Sequence, residues 1–541
     1  MQLVKVADMI IQGNRIFTGK EMMEGGIAIK DGKIIDVCKQ DGTEQYIGND
    51  TQVYKFDNQT IMPGFHDFHI HLTLGCFFED YVNLADARSA EETAQKVKEF
   101  ADSRPDDEWI LGFSWYHIFW DKKEMPDRTI LDEVIPDRPV FLLNAECHGA
   151  WLNSKAMELA GINENTENPP FGMIMKDEDG KPTGILLETA MRLAVDQAFK
   201  IPEKKAVELM ERFLAKANRL GITSVSDMLP LPGFEVGDLA LYRKFEKENK
   251  LTVRTFFLSP LNGDLTQARR LREEYQSNVL KFSGLKQFLD GVATTYTALM
   301  VEPYSDNPSE KGEAFLPPEL LEQWVAEADR EGFRVRLHAC GDGAVRLGLN
   351  LCEKAEEQNG QRDSRHAIEH IEVIHPDDIH RFAKLGVVAS MQPEHMAITE
   401  KYEDNVYLSR MGKERDQYMW PIKTLGESGA PMAFGSDFPV VELNPMLEIY
   451  RAVTRKFNDG EPEEGWNSTE KIPLVEALKH YTAGPAFGNF MESKLGTLEK
   501  GKLADVIVMD RDLFAIEPEQ LLEAKVKLTV MDGKVVYQDR E

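Results

Sequence analysis

The central part of the chain alternates between short apolar runs rich in β-branched residues and segments with helical periodicity. Eight such runs occur: Pro63–Leu72, Gly221–Met228, Leu251–Ser259, Leu285–Gly291, Phe333–Gly341, Arg365–Glu372, Gly386–Gln392 and Ala430–Asp437. Between them, apolar residues recur at helical spacing, for example at Met210, Phe213 and Leu214. Strands that alternate with helices form parallel β/α units, and eight units in one domain predict an α/β fold, the (β/α)8 TIM barrel.

The two chain ends show a different pattern, that of short strands joined by tight turns. Each end contains two strand-like runs around an Asp-Gly dipeptide, Asp31-Gly32 near the start and Asp532-Gly533 near the end. This dipeptide suits the type I′ turn of a β-hairpin. We therefore predict a small sheet domain that is assembled from both termini, residues 1–62 and 495–541.

The lengths of the intervals between the strand-like runs define the rest of the domain layout. The barrel is predicted to span residues 63–494. About 150 residues separate His71 from the second run, which is far more than one helix and two loops require. We therefore predict that residues 109–200 form an insertion over the mouth of the barrel.

The charge balance excludes some classes of function. Lys and Arg total 63 against 92 Asp and Glu, a formal net charge of −29. Phosphate backbones and anionic membranes repel such a chain, so neither nucleic acid nor membrane is expected as a partner, and no apolar run reaches the ~18 residues that cross a bilayer. The five cysteines are widely spaced, which is typical of reduced thiols. We therefore expect a cytoplasmic protein.

Side chains that can bind a metal stand at or near the ends of several predicted strands. They are His69, His71, Lys286, His338, His370 and Asp437. The carboxyl ends of barrel strands meet at one rim, so these residues are expected to converge although they lie far apart in the sequence. Strand alternation points His69 and His71 to the same side, which gives two imidazoles one metal-binding face.

Each of these residues also has a structural explanation when it is considered alone. An H-x-H pair occurs by chance, and single histidines such as His338 or His370 are often hydrogen-bonded residues of the core. Lys286 could reach solvent or pair with a carboxylate, and Asp437 could cap the following helix. Together, however, these explanations require several independent coincidences at strand ends. The joint placement therefore predicts a metal site.

Seven motifs, in this order, resemble those of the amidohydrolase superfamily, specifically its YtcJ-like amidohydrolase family 3 branch. They are Met62–His71, Cys147–Ser154, Leu285–Gly291, Leu337–Val345, His366–His370, Ser390–Pro393 and Gly435–Val440. The resemblance covers residues 7–537, practically the whole chain. It implies a metal-bearing (β/α)8 barrel together with a β-sandwich domain built from both termini.

The resemblance also implies a site with two metal positions. His69 and His71 match the ligands of the more buried ion, while His338 and His370 match the ligands of the second. Lys286 matches a lysine of this group that can be carboxylated to N6-carboxylysine and bridge the two ions.

Four further positions are weaker candidates for contact with a substrate. They are His148, Asn153, Gln392 and His395. His148 and Asn153 lie in the motif of the mouth insertion, where a structural turn is an equal explanation. Gln392 ends the seventh predicted strand, and His395 follows it in a loop.

The predicted function is metal-dependent hydrolysis of a C–N bond in a small-molecule substrate, an amide or an N-substituted formamide. Metal-activated hydroxide is expected to attack the carbonyl carbon. Asp437, which matches the strand-eight aspartate of the family, is expected to bind metal and to act as general base and general acid. One or two divalent ions are expected, with zinc first, because imidazole and carboxylate are its ligands.

Two alternatives stay open on the sequence alone. The enzyme could instead hydrolyse a cyclic amide, an imine or an ester. The chain could also be a metal-containing barrel that binds a small molecule without turnover, although such a protein has no need for an aspartate beside the metal. The family is compatible with a homodimer.

Overall fold

Eight parallel strands form the central sheet, and they coincide with the eight predicted runs. They are Phe65–Ile70, Ile222–Asp227, Arg254–Pro260, Leu280–Phe288, Val335–Ala339, Ala367–His370, Val388–Met391 and Met432–Phe434. Each pairs in parallel with the next one along the chain, which confirms the barrel. The fourth strand begins at Leu280, earlier than predicted, because Leu280 and Phe282 extend its buried alternation. The computed structural model describes residues 6–78, 80–200, 202–228, 239–399 and 401–540.

The barrel closes where the first strand meets the eighth. Ile70 pairs with Phe438 in a parallel bridge. The backbone N–H of Asp437 donates to the carbonyl oxygen of His69 over 2.6 Å. Closure therefore places two of the predicted metal ligands side by side.

Helices lie between successive barrel strands and after the last one. They are Glu203–Arg219, Leu239–Lys247, Thr266–Glu274, Pro318–Arg330, Asp342–Asn359, Ile379–Leu385, Val406–Asp416, Ile422–Glu427, Pro445–Thr454, Leu474–His480 and Ala483–Gly488, with Leu72–Phe78 directly after the first strand. Their inner faces are apolar, as predicted for Met210, Phe213 and Leu214, which are all buried. Within the described ranges, none of the helices has both the length and the apolar composition that a bilayer crossing requires.

Strands from both chain ends form a second sheet, as predicted from the turn patterns. They are Met9–Phe17, Met22–Lys30, Lys33–Lys39, Gln52–Phe56, Ile61–Pro63, Val506–Met509, Val526–Met531 and Lys534–Gln538. Both Asp-Gly dipeptides join hairpin strands with positive φ at each residue, 50° and 73° at Asp31 and Gly32, and 53° and 71° at Asp532 and Gly533. The β-sandwich arrangement of this domain stays a prediction, and its residues 1–5 and 541 lie outside the described part of the chain.

The segment between the first and second barrel strands folds around a mixed sheet of its own. Its strands are Val82–Asn83, Ile110–Trp115, Val140–Asn144, Gly149–Leu152, Gly172–Lys176 and Pro182–Glu188, and its helices are Ala90–Ser103, Arg128–Val134, Ser154–Ala160 and Arg192–Ala198. Trp115, Trp120 and Trp151 pack together in its core, with ring centroids 5.8–6.3 Å apart. These tryptophans therefore form part of the core that stabilises the insertion.

A buried ion pair joins the barrel to the terminal sheet. Arg254, at the start of the third barrel strand, is fully buried. Its guanidinium donates two hydrogen bonds to the carboxylate of Asp505, at 2.7 and 2.9 Å, and one to Asp532 at 2.9 Å. Asp532 belongs to one of the predicted hairpin turns, so a turn residue at the chain end also anchors the domain contact.

The loss of this guanidinium should destabilise the whole protein. Arg254→Ala leaves the buried carboxylate of Asp505 without a counter-charge, and we expect a loss of ~3–5 kcal/mol in the free energy of unfolding. Chemical denaturation measures the effect. Arg15→Ala is the matched control, because Arg15 pairs with Asp512 at 2.7 Å but is 47% exposed, and an exposed pair contributes at most ~1 kcal/mol. Equal losses in both variants would contradict this account.

Candidate metal centre

The structure brings five of the six predicted metal ligands into one cluster at the carboxyl end of the barrel. Asp437 Oδ1 lies 3.3 Å from His69 Nε2 and 3.1 Å from His71 Nε2. Asp437 Oδ2 lies 3.9 Å from His370 Nδ1. The imidazole of His338 packs against that of His370, with ring centroids 4.4 Å apart. All five side chains are buried.

The hydrogen bonds behind the first two histidines decide which ring atoms face Asp437. His71 Nδ1 lies 2.9 Å from the carbonyl oxygen of Met228. His69 Nδ1 lies 2.7 Å from a carboxylate oxygen of Glu369. Because both partners are acceptors, each Nδ1 carries the proton and each Nε2 carries a lone pair.

In the neutral imidazoles, two lone pairs therefore face the same oxygen atom of Asp437, at 3.3 and 3.1 Å. This arrangement needs a positive charge between the acceptors. Burial lowers the pKa of His69 to about 4, so this imidazole is neutral at neutral pH and does not supply the charge itself. Ligands of one tetrahedral zinc ion with bonds of ~2.0–2.1 Å lie ~3.3 Å apart. The residues present thus fit a divalent metal ion.

Glu369 holds the His69 imidazole, and Arg336 holds Glu369. The guanidinium of Arg336 donates to both carboxylate oxygens of Glu369, at 2.6 and 2.8 Å, and both side chains are fully buried. Burial acts to raise the pKa of Glu369, but Arg336 and His69 outweigh it and hold the pKa well below its ordinary value. A permanently ionised carboxylate behind a ligand imidazole raises the basicity of that ligand.

Sequence reasoning missed Glu369, because strand alternation sends neighbouring residues to opposite faces. The next residue, His370, is the predicted ligand, and strand alternation alone would place Glu369 on the opposite face. His370 has a positive φ of 74°, and Ile371 follows with 50°. This left-handed turn at the strand end lets both Glu369 and His370 face the cluster. Backbone in this region is rare for residues other than glycine and concentrates at functional sites.

His338 presents its Nδ1 atom, not its Nε2 atom, as the free ligand position. Nε2 lies 3.1 Å from the carbonyl oxygen of Gly291 and therefore carries the proton. Cys340 Sγ and Asp290 Oδ1 lie 3.5 and 3.7 Å from the same Nε2, a group that resembles a second metal site. The protonated Nε2 has no lone pair to offer, and Asp290 accepts the backbone N–H groups of Cys340 and Gly341. This group is therefore structural.

Lys286, on the fourth barrel strand, carries a buried amine. Among the described residues, its Nζ has no hydrogen-bond partner, and it lies 5.1 Å from the centre of the Phe288 ring. Burial lowers the pKa of the amine to about 8. A buried amine without a partner is costly, and a lowered pKa increases the neutral fraction that carboxylation requires. The buried amine of Lys286 thus has the properties that the predicted carboxylation requires.

Two of the four weaker candidates, His395 and His148, lie at the cluster, and a third, Gln392, directly follows the seventh barrel strand. His395 Nε2 is 3.7 Å from Asp437 Oδ2. His148 lies with its ring centroid 5.6 Å from that of His338. Gln392 is fully buried, and neither polar atom of its side chain has a hydrogen-bond partner within the part of the chain that the structure describes.

Asn153 has a different role from the predicted one. Its Oδ1 accepts the backbone N–H groups of Ala156 and Val140, at 2.9 and 3.0 Å. Its Nδ2 donates to the carbonyl oxygens of Ile135 and Arg138, at 2.8 and 2.9 Å. All its hydrogen-bonding capacity is used by the backbone, including the N-cap of the helix Ser154–Ala160. The predicted contact of Asn153 with a substrate is therefore not what the structure shows, because this side chain stabilises the insertion.

Comparison with known proteins identifies the family. The model of the amidohydrolase family matches residues 53–537. The chain belongs to the amidohydrolase family. It is 30% identical to YtcJ of Bacillus subtilis (strain 168), a protein that is named as an amidohydrolase, over 92% of each chain. It is 26% identical to the N-substituted formamide deformylase of Arthrobacter pascens, over 98% of each chain.

A solved structure is similar over nearly the same length. It is that of an uncharacterized metal-dependent hydrolase from Pyrococcus horikoshii OT3, with a TM-score of 0.76 and 26% identity. The match covers 94% of this amidohydrolase and 99% of the other chain. Family, fold and ligand cluster together support a hydrolase that uses a divalent metal ion.

The carboxylate behind His69 should control metal affinity. Glu369→Gln keeps the shape of the side chain but removes the charge that Arg336 holds, and we expect divalent-metal affinity to fall by ~10–100-fold. Competition with a chromophoric chelator measures this. Glu331→Gln is the control, because Glu331 pairs with Arg269 on the surface at 2.5 Å. Unchanged metal affinity in Glu369→Gln would show that the Arg336–Glu369 pair only supports the fold.

Proposed function

We propose that this amidohydrolase cleaves the C–N bond of an amide and that N-substituted formamides are its first substrate class to test. The observation that carries the proposal is a buried carboxylate, Asp437, held against the metal-facing Nε2 atoms of His69 and His71. The 26% identity to a formamide deformylase over 98% of both chains supports the choice of bond. Imidazole and carboxylate ligands favour zinc as the ion.

A divalent ion held by these residues would act as a Lewis acid and would lower the pKa of a bound water towards ~7. Asp437 is placed to take the proton of the attacking water. Burial acts to raise the pKa of this carboxyl, but the positive charge of protonated His69 and His71 outweighs it and holds the pKa below its ordinary value. A cation bound between the neutral imidazoles and the carboxylate would act in the same direction and keep Asp437 ionised at neutral pH. The same carboxyl can then deliver the proton to the leaving nitrogen.

His148 offers a positive hydrogen-bond donor beside the same cluster. Its Nδ1 lies 2.8 Å from Glu188 Oε2. Burial acts to lower the pKa of His148, but the carboxylate of Glu188 outweighs it and raises the pKa to about 9. His148 is therefore protonated at neutral pH, and we assign its Nε2–H to the carbonyl oxygen of the substrate, where negative charge develops.

The test of catalysis separates turnover from metal binding. We expect Asp437→Asn to keep at least one metal ion and to lose ~10²–10⁴-fold in kcat on an N-alkylformamide, because the amide cannot accept a proton. Elemental analysis and assay of released amine give the two readouts. Asp404→Asn, at an exposed position, is the control. A barrel that only binds ligands would show no turnover in any of the three proteins, and a chelator-insensitive rate would exclude the metal mechanism.

The state of Lys286 has its own test. If the amine is carboxylated and bridges two ions, Lys286→Ala should lose metal and activity, and added propionate should restore part of both by replacing the missing carboxylate. The loaded wild-type enzyme should bind about two ions per chain. A fully active Lys286→Ala variant, or a variant that propionate leaves unchanged while one ion stays bound, would favour a single-metal site without a bridging carboxylate.

A further inference from the structure

The predicted metal ligand His71 lies one residue beyond the end of the first barrel strand. That strand ends at Ile70, and its parallel register with the second strand ends at the pair Ile70 and Asp227. The regular pairing with the second strand therefore does not extend to His71. A metal site nevertheless requires its side chains to be held within ~0.5 Å of the binding geometry. Other bonds from the second strand must position the imidazole.

The backbone of Met228, directly after the second strand, makes the first two of these bonds. Its N–H donates to the carbonyl oxygen of Ile70 over 2.7 Å. Its own carbonyl oxygen lies 2.9 Å from His71 Nδ1, which carries the proton. This bond sets the rotation of the imidazole and points Nε2 at Asp437, 3.1 Å away. A displacement of Met228 would therefore turn the ligand atom away from the metal position.

Asp227 and Tyr242 hold the next two residues of the same turn. The backbone N–H of Leu72 donates to Oδ1 of Asp227 over 3.1 Å. The hydroxyl of Tyr242, on the helix Leu239–Lys247, donates to Oδ2 of Asp227 over 2.5 Å. The hydroxyl of Thr73 lies 3.0 Å from that of Tyr242. Asp227 and Tyr242 are each 1% exposed, so solvent does not compete for the bond between them.

The phenol of Tyr242 is in the protonation state that these bonds require. Burial and the charge of Asp227 raise its pKa well above the ordinary value, so the hydroxyl keeps its proton at neutral pH. Because that single proton goes to the carboxylate of Asp227, the phenolic oxygen accepts the proton of the Thr73 hydroxyl. One helix side chain thereby connects the end of the second strand to the turn that carries His71.

We propose that Tyr242 is a positioning residue for metal binding, which acts through Asp227 and the adjoining carbonyl of Met228 to hold the imidazole of His71 towards the metal. This inference rests on the proposed metal role of His71 and adds two residues that are not themselves predicted ligands. Loss of the hydroxyl changes no charge, so its effect on metal affinity reports geometry. A side chain that only supported the fold would change the free energy of unfolding but not the metal affinity.

The test compares two tyrosines that each donate to an aspartate. We expect Tyr242→Phe to lower Zn²⁺ affinity by ~10–100-fold, measured by competition with a chromophoric chelator. The absorption spectrum of the Co²⁺-loaded protein, which reports ligand geometry, should change as well. Tyr46→Phe is the matched control, because the Tyr46 hydroxyl donates to Asp36 over 2.6 Å in the terminal domain. It should keep the wild-type affinity and spectrum. Wild-type Zn²⁺ affinity in Tyr242→Phe overturns the proposal.

A second variant removes the other hydrogen bond of the same phenol and keeps the test decisive if Tyr242→Phe does not fold. Thr73→Val preserves the shape of the side chain and the bond between Tyr242 and Asp227. We expect it to lower Zn²⁺ affinity by ~2–10-fold, the effect of one neutral hydrogen bond. If Tyr242→Phe does not fold and Thr73→Val binds Zn²⁺ as the wild-type protein does, the proposal is wrong.

A double-mutant cycle separates this inference from the ligand assignment on which it rests. In a His71→Ala background, Tyr242→Phe should cause no further loss of Zn²⁺ affinity, whereas in a His338→Ala background it should keep its full effect. If His71→Ala loses affinity but Tyr242→Phe does not, the ligand stands and the positioning role is overturned. If His71→Ala itself binds Zn²⁺ as tightly as the wild-type protein, the ligand assignment is wrong and this inference falls with it.

Discussion

The closure of the barrel between its first and eighth strands is the constraint on which the site depends. Asp67, on the first strand, accepts the backbone N–H of Ser436 at 3.0 Å and its hydroxyl at 2.6 Å, and the next residue, Asp437, donates its N–H to His69. These short bonds lock the carboxylate of Asp437 against two imidazole lone pairs. The fold prevents the carboxylate and the two imidazole nitrogens from moving apart. A cation between these hydrogen-bond acceptors therefore stabilises the arrangement.

The layer beneath the ligands explains how so many charges stay buried. Arg336 and Glu369 form a fully buried pair directly under His69, and the same arginine also donates to the backbone carbonyl of Phe68 at 2.8 Å. A buried pair of this kind adds little net stability compared with apolar residues, but the loss of one partner is costly. We infer that this pair fixes the orientation of the metal-facing imidazole of His69.

Much of the fold and most of the metal cluster could be predicted, because both depend on local patterns. Strand-like runs, helical periodicity and the two Asp-Gly turns each specify structure over a few residues, and parallel strands carry their end residues to one rim. The positions of His69, His71 and Asp437 follow from that rule. Asn153 could not be predicted in this way, because an asparagine before a helix looks the same in sequence whether it caps the helix or contacts a ligand.

The sequence by itself determined that eight β/α units close into a barrel with a ring of potential metal ligands, since periodicity and strand order suffice for that. Only the tertiary structure decided which ring nitrogen each histidine presents, that Glu369 faces the site beside His370, and that Glu188 pairs with His148. Such contacts join residues tens to hundreds of positions apart, and no local pattern encodes them. They depend on loop paths and on single backbone turns, such as the positive φ at His370.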